Sequence, residues 1–222
     1  MKAAYAIFRK DLLLELRGKE IVITLTVFAF LVLTVFSFSA VPGSTAPGEM
    51  APGILWITFL FAGILGLGRA FDRERENGCF TGLLLAPCDR MQVYWGKCLS
   101  TLVLLMLFQT ILWPIFGILY GYSPIKGVGV AWAGIVLGDI GFVALGVILS
   151  AVTIHARGRE IILPLLLLPL SLPVLVGGVR VLTLALGGGS GDQALTWIGR
   201  LAAFDVIFLV LGSVLFPLVV EE

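Results

Sequence analysis

Residues 21 to 41 read IVITLTVFAFLVLTVFSFSAV, a run of 21 residues that contains no charged side chain. The hydrocarbon core of a bilayer is about 30 Å thick, so a helix that rises about 1.5 Å per residue crosses it in about 20 apolar residues. The stretch therefore predicts a membrane-spanning helix. The whole chain agrees, because 59% of its residues are hydrophobic and 13% are charged, with a mean hydropathy of +1.07. Soluble domains carry about 25% charged residues, so a soluble domain is excluded.

Five further runs of spanning length follow along the chain. They cover residues 53–71, 98–120, 128–153, 161–182 and 201–220. The run at 161–182 contains three prolines, which predict a bent or broken helix. The strands of membrane β-barrels alternate apolar and polar residues, whereas these runs are continuously apolar. The sequence therefore predicts an all-α polytopic membrane protein, with six spans in a single domain over residues 1–222.

The distribution of positive charge predicts the orientation of these spans. Lysine and arginine are enriched in the cytoplasmic loops of membrane proteins. Placing the N-terminus in the cytoplasm puts twelve of the fifteen lysine and arginine residues there as well. The three exceptions are Lys126, Arg180 and Arg200. We therefore expect both termini, and the loop at 72–96, to lie on the cytoplasmic side.

The first twenty residues predict a helix that lies in the membrane interface. Four apolar side chains share one helical face: Tyr5, Phe8, Leu12 and Leu16. Arg9 lies beside this face. Such a stripe is typical of an amphipathic interfacial helix. A secretion signal is the alternative, but its apolar run has about 7 to 15 residues and follows a short basic lead.

The loop at 72–96 combines a charged head with an apolar helical turn. DRERE at 72–76 is followed by CFTGLLLA at 79–86 and then by a proline. Two interpretations stay open: the apolar ridge docks into a groove of a soluble partner, or it dips into the lipid headgroups. The candidate coupling residues are Glu74, Glu76, Gly78, Phe80, Leu83, Leu84 and Pro87.

Catalytic and metal-binding motifs are missing from the sequence. It contains no phosphate-binding glycine loop with its lysine, no HExxH and no GxSxG. The single histidine, His155, falls just after the fourth run and is not expected to ligate a metal. We therefore expect no catalytic site, no metal site and no nucleic-acid partner, so any nucleotide chemistry must come from another chain.

Asp139 lies near the middle of the fourth run, where a charge costs on the order of 3 kcal/mol. It is expected to face the bundle interior or to be protonated, and Gln109 of the third run is a candidate partner. A structural hydrogen bond and a functional intramembrane polar site both remain open for this pair. Asp205 is expected to pair with Arg200 or Arg180.

Several segments resemble one family of membrane proteins. ERENGCFTGLLLAPCDRMQVYWGK at 74–97 is similar to the segment that follows the second span in ABC-2 type exporter permeases. IFRKDLLLELRGKE at 7–20 and RGREIILPLLLLPLSLPVLV at 157–176 extend the likeness. The whole chain resembles the CcmB family of cytochrome c maturation permeases, whose members are called heme exporter protein B.

The resemblance implies an ABC-2 (type V exporter-like) fold in the bacterial inner membrane, with the segment between spans two and three as a coupling helix. It implies a permease that binds no cofactor itself, works with an ATPase holding ATP and Mg²⁺, and acts in c-type cytochrome biogenesis, with heme as candidate cargo. The implied partners are a CcmA-like ATPase, a CcmC-like heme-handling protein, a small CcmD-like subunit, a CcmE-like heme chaperone, a second copy of the chain and membrane lipid. Two alternatives remain: an exporter of a lipid, drug or polysaccharide, or a scaffold that transports nothing.

Overall fold

The structure is a computed structural model that describes residues 2–39, 46–69, 89–122, 127–154, 156, 158–189 and 191–220. Within these ranges every regular element is an α-helix, which confirms the predicted fold class. The helices are α1 (Lys2–Gly18), α2 (Glu20–Ser39), α3 (Ala46–Gly68), α4 (Arg90–Tyr120), α5 (Val128–Val152), α6 (Arg159–Leu170), α7 (Leu172–Gly187) and α8 (Gly191–Val219).

Five of these helices are long and apolar enough to cross a membrane by themselves, namely α2, α3, α4, α5 and α8. The shorter helices α6 and α7 meet at an angle of 56° and together make a sixth span. The chain is therefore a multi-pass membrane protein. The length and apolar character of its helices, rather than their periodicity, identify the spans.

The bend between α6 and α7 is centred on Ser171, which is fully buried. Pro173 lies in the first turn of α7 and has no N–H, so the carbonyl of Pro169 lacks its helical donor. The Ser171 N–H donates to the carbonyl oxygen of Leu167 at 2.9 Å, and this bond ends α6. The prolines thus produce the broken helix that the sequence predicts.

Helix α4 begins earlier than the third apolar run. Asp89 caps it, because its carboxylate accepts a hydrogen bond from the Met91 N–H at 3.0 Å. Residues 90–96, which the sequence analysis placed in the cytoplasmic loop, are therefore helical and continuous with the third span. An N-cap of this kind can start a helix outside the apolar core, where hydropathy gives no signal.

The helix ends gather at two opposite ends of the bundle. At one end Arg159 donates to the Gly68 carbonyl at 2.9 Å, and Arg90 donates to the Pro217 carbonyl at 3.4 Å. We call this the basic end; it joins the starts of α4 and α6 to the ends of α3 and α8. At the opposite end the Tyr120 hydroxyl donates to the carbonyl of Leu33 in α2 at 3.2 Å. Consecutive spans therefore run in alternating directions.

Helix α5 forms the centre of the bundle, since 72% of its most apolar window is buried. Its glycines let neighbouring helices approach closely, as at Gly134, where an added methyl group would lie 2.6 Å from Val181 of α7. The corresponding windows of α2 and α8 are only 17% and 22% buried. These two helices therefore present broad apolar faces to the surroundings of the chain.

Candidate functional site

The seven candidate coupling residues lie outside the described residues, so their coupling role stays a prediction. They are Glu74, Glu76, Gly78, Phe80, Leu83, Leu84 and Pro87. The described chain stops at Arg69 and resumes at Asp89, and both of these residues are at the basic end. The segment at 70–88 therefore connects α3 directly to α4.

Helix α1 packs along the first half of α4. Ile7 is buried there, and a methyl group added at Gly96 would come within 2.9 Å of both the Ala4 carbonyl oxygen and Ile7 Cβ. Only glycine at position 96 allows this backbone approach without rearrangement. The close packing fixes α1 against the span that follows the predicted coupling segment.

A buried ion pair connects the same two helices. Lys97 Nζ lies 3.0 Å from Asp11 Oδ2, and the Lys97 side chain is 2% exposed. The Ser100 hydroxyl donates to the same carboxylate oxygen at 3.4 Å. Taking a lysine out of water is costly unless a counter-charge and further hydrogen bonds compensate it. The pair therefore fixes the position of α1 more strictly than apolar packing alone.

Glu15 joins α1 to the start of α2. Its carboxylate is buried and accepts hydrogen bonds from the N–H groups of Ile21 at 2.7 Å and Val22 at 3.4 Å. Those N–H groups belong to the first turn of α2, where negative charge is favoured by the helix dipole. Lys19 between the helices has a positive φ of 56°, so the chain turns sharply there. Glu15 thus holds the corner between α1 and α2.

The face of α1 that meets the bundle differs from the apolar stripe of the sequence. The inward residues are Ile7, Asp11 and Glu15, whereas Tyr5 is 64% exposed. Arg9 is also exposed, Phe8 and Leu12 are half-buried, and only the backbone of Leu16 is described. The sequence analysis missed the polar inward face, although the spacing of 7, 11 and 15 follows one side of a helix. The interfacial role of the stripe stays a prediction.

The structure brings the two candidate intramembrane polar residues together. Gln109 Nε2 of α4 donates to Asp139 Oδ1 of α5 at 2.9 Å, and both side chains are buried. The expected pairing of Asp205 is wrong within the described chain, because neither of its carboxylate oxygens has a hydrogen-bond partner there. Arg200 instead lies 4.4 Å above the Trp197 ring, since a separation of five residues puts it on another side of α8 from Asp205.

Trp56 of α3 lines the same small cavity as Asp139. A methyl group added at either Gly138 of α5 or Gly178 of α7 would overlap its six-membered ring. The indole is therefore held between two helices besides its own. Its Nε1 is buried and has no hydrogen-bond partner among the described residues. The sequence analysis did not single out Trp56, because its two glycine contacts lie on separate helices.

The fold and these contacts define an α-helical multi-pass membrane protein with an N-terminal helix fixed to its basic end. The family model described as CcmB protein matches residues 2–221. The chain therefore belongs to the CcmB family, which confirms the resemblance found in the sequence.

Curated relatives agree with the family model. Heme exporter protein B of Pseudomonas aeruginosa is 28% identical over 195 residues, which are 88% of this chain and 86% of that protein. The protein of the same name from Paracoccus denitrificans is 30% identical over 187 residues and 83% of each chain. The one from Bradyrhizobium diazoefficiens is 27% identical over 212 residues, 96% of this chain and 94% of the relative. The similarity thus extends over nearly the whole length.

Proposed function

We propose that this chain is the permease subunit of an ABC transporter complex in c-type cytochrome biogenesis. A partner ATPase of the CcmA type hydrolyses ATP, and the permease couples that hydrolysis to heme delivery or to release of a heme-loaded chaperone at the periplasmic side. The observation that carries the proposal is the match to the CcmB family over residues 2–221. The relatives' name, heme exporter protein B, supports heme as the molecule that the complex handles.

The charge distribution supports an orientation in the inner membrane. Arg69, Arg90 and Arg159 all lie at the basic end, together with α1 and its basic residues. Because positive residues are retained in the cytoplasm, the basic end is the cytoplasmic end in this proposal. The N- and C-termini then both face the ATPase.

The contacts of α1 support a path for coupling. The segment at 70–88 connects α3 to α4, so a push on it reaches both spans. Helix α1 is fixed to the first half of α4 by the pair of Asp11 and Lys97, and to α2 by Glu15. In the proposal, closure of the ATPase on ATP moves the coupling segment, and α2, α3 and α4 move with it.

The exposed apolar faces of α2 and α8 support an assembly with other membrane chains. In the proposal they contact a second copy of this chain, a CcmC-like protein or a CcmD-like subunit, with lipid covering the rest. Both helices carry large exposed apolar side chains along their lengths, for example Phe30 and Val35 in α2 and Val206 and Val210 in α8.

One observation favours chaperone release over movement of heme past the buried polar pair. The cavity beside Asp139 measures about 10 Å³, whereas sites for drug-sized molecules measure about 300 to 1,000 Å³. Heme uptake into vesicles, measured with active and with hydrolysis-dead ATPase, separates heme transport from chaperone release. ATP-dependent uptake would support heme transport by the complex, and its absence from a complex that still releases the chaperone would support release alone.

The coupling assignment is tested by replacing Glu76 and Phe80 with alanine together. We expect the ATPase to lose co-purification with the permease or to lose its stimulated hydrolysis, because the aromatic residue of the apolar segment and one of the adjacent charges are removed. The matched control is E160A with I161A, which removes an exposed acidic and an exposed apolar residue from the start of α6 at the same end. Co-purification and stimulation that both survive the first double change would contradict the assignment, as would an equal loss in the control.

A further inference from the structure

Two polar side-chain atoms in the bundle are buried without a hydrogen-bond partner in the described part of the chain. Trp56 Nε1 and Asp139 Oδ2 have no hydrogen-bond partner among the described residues, and both side chains are 4% exposed. Buried polar groups are nearly always hydrogen-bonded, either to protein or to ordered water. A buried polar group without a hydrogen-bond partner is especially costly inside a membrane, where bulk water is absent.

These two residues line the same cavity. It has a volume of about 10 Å³; Trp56 and Asp139 are its lining residues with polar side-chain atoms, and the other lining residues are apolar residues of α3, α5 and α7. A cavity needs about 10 to 15 Å³ and at least two polar partners to hold one water molecule. The cavity therefore has room for a water molecule and for nothing larger.

The chemistry of the two groups is complementary to water. An indole Nε1–H can only donate a hydrogen bond, and a carboxylate oxygen can accept one. Water can accept from the first and donate to the second at the same time. An apolar ligand would leave both groups unsatisfied, and a cation would be repelled by the indole N–H.

Neither group can turn away to find another partner. The Trp56 ring is held between Gly138 and Gly178, where not even a methyl group fits. The Asp139 carboxylate is oriented by Gln109 Nε2, which donates to Oδ1 at 2.9 Å. The orientation of each of these two side chains is therefore fixed by a contact with another helix, through packing for Trp56 and through a hydrogen bond for Asp139.

We propose that this cavity is a binding site for a single ordered water molecule, which accepts a hydrogen bond from Trp56 Nε1–H and donates one to Asp139 Oδ2. The water completes a chain of hydrogen bonds from α3 through α5 to Gln109 of α4. Three spans are thereby linked where Trp56 of α3 packs against Gly178 of α7. The site does not depend on the cargo of the complex or on the ATPase.

Nuclear magnetic resonance of the full chain in lipid nanodiscs tests this site. The chain has five tryptophans, so ¹⁵N labelling of tryptophan gives few indole signals, and the signal that W56F removes belongs to Trp56. We expect direct magnetisation transfer between that N–H and a bound water. The transfer should be lost in D139L, which removes the acceptor, and in V174I, which fills the cavity without altering a polar group. It should remain in D205N, which changes another buried aspartate.

The remaining tryptophan signals report whether each variant keeps its fold. If D139L does not fold, V174I carries the comparison. Absence of transfer at Trp56 in the unaltered chain would overturn the proposal, because the cavity would then be dry. Transfer that persists in both folded D139L and folded V174I would also overturn it, because the water would then be bound elsewhere.

Discussion

Replacing Asp11 with leucine should release α1 from the bundle. Lys97 is 2% exposed and lies 3.0 Å from the Asp11 carboxylate, which is itself 16% exposed. Breaking a buried pair by removing one partner costs about 3 to 5 kcal/mol. Because Asp11 is partly exposed, we expect the lower end, about 3 kcal/mol, which is roughly a 150-fold shift in the equilibrium between packed and released α1.

Hydrogen exchange of the α1 backbone amides in nanodiscs measures this shift. The amides should exchange roughly 100-fold faster in D11L, up to the limit that the helix sets by itself. The double variant D11L with K97M should recover much of the protection, since two apolar side chains of similar size replace the pair without leaving a buried charge. The cycle of single and double variants then gives the coupling energy of the pair.

The control for this cycle changes the neighbouring lysine. Lys10 Nζ lies 3.1 Å from the other oxygen of Asp11, but its side chain is 45% exposed. An exposed pair contributes about 0.2 to 1 kcal/mol, so K10M should change exchange of α1 by only a few-fold. Additive effects of D11L and K97M, or a K10M effect as large as that of D11L, would refute the reasoning.

Three further predictions concern the α1–α2 corner, the glycine contacts and the topology. E15Q should weaken the cap on α2 by about 1 kcal/mol, because a neutral amide replaces the charged acceptor of the Ile21 N–H, and exchange of that amide should rise several-fold. G178A should destabilise the bundle by about 1 to 3 kcal/mol in thermal unfolding, since the added methyl group overlaps an indole that has no room to move. Cys88 should react with a membrane-impermeant maleimide in inverted vesicles and not in intact cells.

Each of these predictions has a matched control. E20Q alters an exposed acid in the first turn of α2 and should leave the corner intact. G53A places a methyl group where no atom lies within 4 Å, so it should be neutral or slightly stabilising. F38C, at a position 84% exposed at the opposite end, should label from outside the cell once Cys79 and Cys88 are replaced by serine. A reversed labelling pattern would contradict the predicted orientation. Equal effects of E15Q and E20Q would contradict the prediction for the α1–α2 corner, and equal effects of G178A and G53A would contradict the prediction for the glycine contact.

The sequence predicted the spans because a bilayer imposes a length on apolar helices that few other structures require. It also predicted a bend or break within the run at 161–182, since prolines act through local backbone chemistry. The contact of Gln109 with Asp139 was expected because buried polar groups in a membrane need hydrogen-bond partners. These features depend on local chemistry or on the environment of the chain.

Other features depend on how separate helices meet, and these were missed. The apolar stripe suggested how α1 lies, but Asp11 and Glu15 face the bundle instead. The ammonium group of Lys97 on α4 compensates Asp11, and backbone N–H groups at the start of α2 compensate Glu15. From the sequence, Lys97 is one of the cytoplasmic charges that flank the spans. In the structure the packing of α1 buries it. The packing of the Trp56 ring requires glycines from both α5 and α7, and no local sequence pattern connects these two glycines.

Purification of the full chain from its native membrane, followed by identification of the proteins that come with it, is the most direct test of the proposed role as an ABC permease subunit. We expect an ABC ATPase in stoichiometric amount, with ATP hydrolysis that E76A combined with F80A uncouples from the permease. A stable complex that contains heme-handling proteins but no ATPase, and that hydrolyses no ATP, would contradict the proposed role as a permease subunit.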